Sequence, residues 1–176
     1  MTNTTKTLWK VDPAHTDVGF KVKHMMISTV SGSFTDFDIT AKTDQDDFTN
    51  AEFEFSANID SINTKNADRD THLKSADFFD AENHPQLKFV SKSFDGDTMT
   101  GDMTIRGTTK EITLDVDFNG IAKDPYGQTK AGFEISGSIN RKDFGLTWNP
   151  VTEAGNIVVS DKIRLNVDVQ LVKQEA

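Results

Sequence analysis

The sequence predicts an all-β protein: one antiparallel barrel of about eight strands, with one or two short helices closing one end. Apolar and polar residues alternate through several segments of about nine to fifteen residues, turn-forming residues separate these segments, and one segment departs from the alternation. A sheet with one apolar face must close into a barrel or pack as a sandwich. We expect a barrel, because the outward faces are charged and the strands are longer than those typical of sandwiches.

Six strands are predicted from regular alternation, since every second residue of a strand points to the same face of the sheet. Their inward faces are, in chain order, Val18, Phe20, Val22 and His24; Phe53, Phe55, Ala57 and Ile59; Leu87, Phe89 and Ser91; Ile112, Leu114, Val116 and Phe118; Ala131, Phe133, Ile135, Gly137 and Ile139; and Val159, Asp161, Ile163, Leu165, Val167, Val169 and Leu171. Two less regular strands are predicted near residues 30–40 and 98–106. In the first of these, Phe34 and Phe37 have opposite parity, which indicates a bulge.

The segment from residue 63 to residue 85 predicts short helices between two strands. Its residues at helical spacing are Ala67, Asp70, Leu73 and Lys74, with Asn63 or Thr64 available as the N-cap. Phe78 and Phe79 follow, and we expect them to plug the end of the barrel that the helices close. Turns elsewhere are predicted at 95–97 and 124–127, where Asp, Gly and Pro cluster.

Length and charge restrict the classes of partner. The 176 residues fit one domain spanning 1–176, in which we expect residues 1–7 to be flexible. The net charge of −9 repels phosphate backbones and anionic membranes, so we expect no nucleic-acid partner. The polar N-terminus and the absence of a long apolar run predict no stable membrane insertion and a cytoplasmic location. The absence of cysteine excludes disulfides and thiolate sites.

The interior of such a barrel either fills with side chains or holds one small ligand. Small residues among the inward Phe rings favour a cavity: Ala57, Ser91, Gly101, Ala131 and Gly137. Polar groups near strand ends, His24 and Asp161, point the same way. We therefore predict a narrow cavity for a long apolar chain, with the following lining residues: Val18, Phe20, Val22, His24, Phe53, Phe55, Ala57, Phe89, Ile112, Leu114, Phe133, Ile135, Ile163 and Leu165.

The residues predicted at the mouth of the cavity are His24, Arg69, His72, Phe78 and Phe79. Two interpretations stay open for the polar members of this set. His24 contacts a ligand headgroup, or it is a core histidine that donates to a backbone carbonyl. Arg69 and His72 contact a headgroup, or else Arg69 and Asp70 fix the helix on the barrel by pairing with strand residues such as Asp12 or Arg141.

Five blocks, in this order, carry a resemblance to a known family: DPAHTDVGFKVKHMM at 12–26, SINTKNADRDTHLKSADFFDAENHPQLKFVS at 61–91, GDMTIRGTTKEITLDV at 101–116, GFEISGSINRKDFGLTW at 132–148 and SDKIRLNVDVQL at 160–171. On these blocks the chain resembles the YceI-like family of lipocalin-like, polyisoprenoid-binding barrel proteins, from Trp9 to about Lys173. Residues that match the family pattern are His15, His24, Arg69, Asp70, His72, Leu73, Asp77, Phe78, Phe79, Pro85, Phe89, Gly107, Arg141 and Gly145.

The resemblance implies a barrel that binds or carries a long apolar lipid, such as a polyprenyl or isoprenoid quinone chain, without catalysis. No cofactor is expected besides that bound lipid, and a homodimer is implied because dimers are frequent in the family. Three departures are evident. Thr16 replaces the Ser that usually follows the His, Asp38 replaces a usual Gly, and many relatives are exported although this chain shows no leader.

Two other functions remain as alternatives. One is a filled barrel that works as an interaction or stress-response module. The other is a metal-dependent or hydrolytic enzyme in which His15 and His24 converge with a carboxylate. The sequence contains no nucleophile elbow, P-loop or dinucleotide-binding fingerprint, so we predict that the protein is not an enzyme.

Overall fold

The computed structural model of the protein describes residues 6–24, 27–44, 47–147 and 159–174, and the side chain of His24 lies outside this description. The described residues contain the helix α1 (Ala67–Lys74) and 3₁₀ turns at Pro13–His15, Ile59–Ser61 and Arg141–Phe144. They also contain eleven strands: β1 (Thr7–Val11), β2 (Asp17–His24), β3 (Ser28–Phe34), β4 (Phe37–Asp44), β5 (Asp47–Asn58), β6 (Ile62–Asn63), β7 (Gln86–Phe94), β8 (Thr98–Ile105), β9 (Thr108–Lys123), β10 (Thr129–Asn140) and β11 (Val159–Lys173).

These strands close into one antiparallel barrel, which confirms the predicted fold class. One edge of β11 pairs with β10, and its other edge pairs first with β2 and then with β1, so that β1 and β2 act as a single kinked strand. Likewise, β3 and β4 lie along β2 and β1. The ring of eight then runs through β5, β7, β8, β9 and β10 back to β11. None of the described helices is long and apolar enough to cross a membrane.

The interruptions between β1 and β2 and between β3 and β4 are related to two differences from the sequence prediction. The expected bulge between Phe34 and Phe37 is a strand break at residues 35–36. The strand β1 was missed, and Thr7, predicted to be flexible, is its first residue. A strand of five residues gives too short an alternation to recognise, although its Trp9 is completely buried.

The kink between β1 and β2 is held by the carboxylate of Asp12. It accepts a bond from Lys130 Nζ at 2.7 Å and lies 2.9 Å from His15 Nδ1, while Ala14 N–H donates to its other oxygen at 3.2 Å. These contacts, with Lys130 the largest contributor, lower the pKa of Asp12 below the usual value of 3.8. The link ties the kink to the start of β10.

We expect Asp12→Asn to lower the free energy of unfolding by about 1 kcal/mol at neutral pH, because hydrogen bonds to a charged partner are lost. Since the folded pKa lies below the unfolded one, this contribution is complete above about pH 4 and disappears as the pH falls through the folded pKa. Urea unfolding at pH 7 and at pH 3 measures it. A stability difference between wild type and variant that is unchanged at pH 3 would contradict the assignment.

Helix α1 lies between β6 and β7, but its cap is not the predicted one. Asn66, rather than Asn63 or Thr64, accepts a hydrogen bond from the Arg69 N–H at 3.0 Å. Thr64 instead donates to Asp70 through its backbone N–H at 2.9 Å and through its hydroxyl. The helix is polar and buries none of its residues completely. Its position therefore depends on these bonds at its start and on the packing of one apolar side chain, Leu73, against the core.

Candidate functional site

One end of the barrel is filled by aromatic rings. The aromatic cluster consists of Trp9, Phe48, Phe53, Phe94, Phe118 and Phe133, with centroids of neighbouring rings 4.8–6.4 Å apart. The indole N–H of Trp9 donates to the buried hydroxyl of Thr43 at 2.9 Å, which fixes the ring that packs on Phe48. In this half of the barrel, side chains fill the interior. The filled-core alternative predicted such packing for the whole interior.

The other half of the barrel encloses an apolar cavity of about 180 Å³. Ten residues predicted to line a cavity contribute to its wall: Val18, Phe20, Val22, Phe53, Phe55, Phe89, Leu114, Ile135, Ile163 and Leu165. Several of these inward side chains are only half-buried, since part of their surface faces the empty space. Of the described residues in the wall, only Glu54 and Arg141 carry a charge.

Three predicted lining residues lie elsewhere. Ala57 is 1% exposed in the packed core, Ile112 packs against that core, and Phe133 belongs to the aromatic cluster. His24 was predicted both in the wall and at the mouth, but its side chain lies outside the described part of the structure. The predicted lining omitted further wall residues. Some are inward residues of strands predicted less regularly or of other segments, namely Phe34, Ile39, Met99, Met103, Ile105, Phe144 and Leu146, and others were predicted inward but not as lining, namely Leu87, Ile139, Val159 and Val167.

The inward glycines do not create the cavity, contrary to the sequence interpretation. A Cβ atom at Gly101 would lie 2.6 Å from the Phe89 ring, and one at Gly137 would lie 2.6 Å from a Leu114 methyl group. The space beside each glycine is therefore occupied by a neighbouring side chain. This is an arrangement in which a large residue covers a glycine of the adjacent strand.

The mouth of the cavity is covered by the last turn of α1 and the segment that follows it. Leu73, Phe78 and Phe79 line the cavity there, and the Phe79 ring packs edge-on against Phe34 with centroids 6.3 Å apart. Arg106, in the turn between β8 and β9, donates to the carbonyl oxygen of Phe78 at 3.2 Å and to that of Gly145 at 3.3 Å. This guanidinium links the covering segment to the turn after β10.

The two other residues predicted at the mouth hold local structure. Arg69 donates to the Thr64 hydroxyl at 2.8 Å and to its carbonyl at 2.6 Å, so it fixes the helix, although neither Asp12 nor Arg141 is its partner. His72 Nε2 lies 2.9 Å from Asp77, and its ring packs edge-on against Phe78. Neither side chain belongs to the cavity wall.

The buried cation of the wall is Arg141, which is 3% exposed. Its guanidinium donates to the carbonyl oxygens of Leu146 at 2.7 Å, Ser160 at 3.0 Å and Val159 at 3.3 Å. Burial lowers the pKa of Arg141, and the nearby Asp161 carboxylate, 3.7 Å away, opposes that shift. Asp161, predicted to be a polar end of the cavity, pairs with this guanidinium and lies outside the wall.

The alternative with two converging histidines is not compatible with the fold. His15 lies just before β2, and His24 is the last residue of that strand. The strand spans seven residue steps, or about 23 Å, so the two residues lie at opposite ends of it. Ligands of one metal ion lie within a few ångströms of it. Among the side chains that the structure describes, which do not include that of His24, no three His, Cys, Asp or Glu are grouped to hold a metal.

Comparison with known proteins relates this barrel to a described family. The YceI-like domain matches residues 9–171. A UPF0312 protein of Staphylococcus epidermidis is 38% identical over 165 residues, which cover 93% of this chain and 96% of the relative. A UPF0312 protein of Staphylococcus aureus is 38% identical over 160 residues, covering 90% of this chain and 94% of the relative.

Solved structures agree with the fold. The YceI protein of Campylobacter jejuni is 38% identical, with a TM-score of 0.73 over 99% of this chain and 100% of that chain. A polyisoprenoid-binding domain from Saccharophagus degradans is similar in fold alone, with 10% identity and a TM-score of 0.70 over 94% of this chain and 98% of that one.

Proposed function

The chain belongs to the YceI-like family, and on this premise we propose that it binds the apolar chain of an isoprenoid-type lipid, such as a polyprenyl or quinone chain, without catalysing a reaction. The observation that carries the proposal is the cavity, whose wall is apolar apart from Glu54 and Arg141. A wall with so few donors and acceptors selects a ligand by length and girth rather than by hydrogen bonding. The Saccharophagus degradans domain, described as polyisoprenoid-binding, lends support through its similar fold.

The expected affinity is moderate. Burial of each methylene gains about 0.8 kcal/mol before the ordering of the chain is counted. At a net binding free energy near −0.3 kcal/mol per non-hydrogen atom, a chain of about twenty carbons binds with about −6 kcal/mol. This corresponds to a dissociation constant of tens of micromolar. Such a ligand exchanges readily, and this suits carriage or temporary storage better than permanent retention.

Organic extraction of the purified protein, followed by mass spectrometry, tests the proposal. We expect a prenyl or quinone chain at a stoichiometry that Leu165→Trp reduces, because an indole at this wall position fills the cavity. The matched control is Val90→Trp, since Val90 is 49% exposed and lies outside the cavity wall. No lipid from the wild type, together with no binding of an added prenyl alcohol, would overturn the proposal.

The contact that closes the mouth predicts a change in ligand exchange. We expect Arg106→Asn to raise the ligand dissociation rate about tenfold, which corresponds to about 1.4 kcal/mol, because the bonds to Phe78 and Gly145 are lost. Asn tolerates the left-handed backbone of this position, where φ is 50°, so the turn itself is preserved. Stopped-flow displacement of a fluorescent prenyl probe measures the rate. An unchanged rate would show that the covering segment does not limit exchange.

A further inference from the structure

We propose that Asn119 is a site of spontaneous chemical modification, at which the folded protein converts the side-chain amide to a mixture of aspartate and isoaspartate. Asn119 is followed by Gly120, and this is the one Asn–Gly pair in the sequence. The pair lies in β9, next to Phe118 of the aromatic cluster and before the hairpin that leads to β10. The inference is independent of lipid binding.

The reaction uses only the backbone, the amide and water. The backbone nitrogen of Gly120 attacks Cγ of Asn119, the bond from Cγ to the amide nitrogen breaks, and ammonia leaves with the proton of the attacking nitrogen. A five-membered succinimide ring results. Water then opens the ring at Cγ to give aspartate, or at the backbone carbonyl carbon to give isoaspartate, in which the main chain runs through the side chain. Glycine favours the first step because it has no side chain to obstruct its own nitrogen.

The backbone at this pair departs from the regular ladder. The residues on either side, Phe118 and Gly120, pair with β10, whereas Asn119 has no partner on that strand. Gly120 has a φ of 109°, outside the extended region of a strand. On the other edge of β9, the register with β8 ends at Asp115. Ring closure requires the chain to leave the extended conformation, and here it starts from a bulge in a strand paired on one edge.

Water and space are available at the pair. Asn119 is exposed to solvent. A Cβ atom at Gly120 would have no heavy atom within 4 Å apart from its own neighbours in the chain. Within the described part of the chain, no hydrogen bond holds the amide of Asn119. Hydrogen bonds do hold the side chains of other asparagines, which are Asn58, Asn63, Asn66, Asn83 and Asn140.

The turn at Asp95 and Gly96 is an internal comparison. Gly96 also has a positive φ, 105°, and open space beside it. The Asp95 carboxylate, however, accepts hydrogen bonds from the N–H groups of Asp97 at 2.9 Å and Thr98 at 2.7 Å. These bonds, with Asp97 the largest contributor, lower the pKa of Asp95 below 3.8 and keep the group ionised. An ionised carboxylate resists attack by an amide nitrogen, so we expect no isoaspartate at this turn.

The modified chain should stay folded. Isoaspartate adds one carbon atom to the main chain, and this atom falls in the bulge between the paired residues Phe118 and Gly120. The Phe118 ring stays stacked on Phe133, where the centroids are 4.9 Å apart. Aspartate and isoaspartate each add one negative charge to the net charge of −9. The product is a folded protein with one more exposed carboxylate.

The test incubates the purified folded protein in mildly alkaline buffer at physiological temperature. Ion-exchange chromatography separates the acidic form, and peptide mass spectrometry locates the amide that has become an acid. Enzymatic methyl transfer from S-adenosylmethionine to the isoaspartyl carboxylate counts the isoaspartate. We expect a single acidic form that is modified at Asn119 and is unchanged at Asp95.

Three variants and an unfolded sample test the cause. Asn119→Gln should abolish the acidic form, because glutamine would have to close a six-membered ring. Asn119→Asp should stay folded and elute with the acidic form. Asn166→Gln should leave the rate unchanged, since this exposed asparagine is paired on both edges of β11. In urea the fold is absent, and we expect the folded protein to react within about tenfold of that rate, since the bulge opens locally.

Two results would overturn the proposal. One is a folded protein that keeps its amide while the chain in urea loses it, which would mean that β9 protects the pair. The other is an acidic form that persists in Asn119→Gln, which would place the modification at another residue.

Discussion

Replacement of Arg141 by Met is expected to lower the free energy of unfolding by about 3–5 kcal/mol, because the guanidinium is buried and bonded on several sides. Met replaces the aliphatic part of the Arg side chain as far as about the position of Nε but donates no hydrogen bonds. The carbonyl oxygens of Leu146, Ser160 and Val159 would then lose a charged donor in a site with little access to water. Thermal and urea unfolding, followed by circular dichroism, measure the loss.

Two variants serve as controls for Arg141→Met. Arg141→Lys should recover only a small part of the stability, since an ammonium group cannot reach three carbonyls in the planar geometry of a guanidinium. Arg164→Met, on the exposed outer face of β11, should change the stability by less than about 0.5 kcal/mol. A loss below about 1 kcal/mol in Arg141→Met would mean that water or other groups replace the guanidinium at little cost.

The second large effect is expected from Gly32→Leu, which should weaken the binding of a four-unit prenyl alcohol about 100-fold. Gly32 pairs directly with Phe20, and a Cβ atom at position 32 would lie 2.3 Å from the Phe20 ring. A side chain there must push the ring away from the wall, and the adjacent open space is the cavity. Exclusion of about two isoprene units, or ten carbons, removes about 3 kcal/mol.

A compensating variant and a matched glycine test this mechanism. Gly32→Leu combined with Phe20→Ala should regain most of the binding, because the displaced ring is absent. Gly19→Ala, in the strand paired with that of Gly32, should leave binding unchanged, since its Cβ would meet only ordinary contacts at 3.4 and 3.5 Å. Calorimetric titration measures all the variants. If the double variant binds as weakly as Gly32→Leu alone, the loss does not arise from the Phe20 ring.

Long strands could be predicted from the sequence, whereas short ones could not. The alternation through β5, β10 and β11 persists for twelve or more residues in the structure, so the period of two is unmistakable. β1 has five residues and β6 has two, and both depend on neighbours distant in the chain. The cap of α1 was misplaced because three polar residues capable of capping precede the helix, and only the folded segment shows that Thr64 bonds to Arg69 and Asp70, five and six residues further along the chain.

For the candidate site, the sequence predicts which residues point inward but not how far along the barrel each one lies. Phe133 and Ile135 have the same parity on β10, and parity correctly predicts that both point inward. Phe133 nevertheless packs in the aromatic cluster, while Ile135 lines the cavity. The difference is their height in the barrel, which is set by the register of β10 against β9 and β11. Register involves residues about 15 to 35 positions apart in the chain, and alternation within one strand contains no information about it.

The amino-acid sequence by itself determined the class of fold and the face of each long strand, because side-chain direction in a strand is a local consequence of backbone geometry. Whether the inward faces meet as interlocked rings or leave open space was decided only by the tertiary structure. Strand register brings six rings into mutual contact in the aromatic cluster, whereas the aliphatic side chains and Phe rings of the other half surround open space, so that one half of the barrel is filled and the other is hollow. Packing depends on which side chains share a level, and that is a property of the closed barrel rather than of any segment.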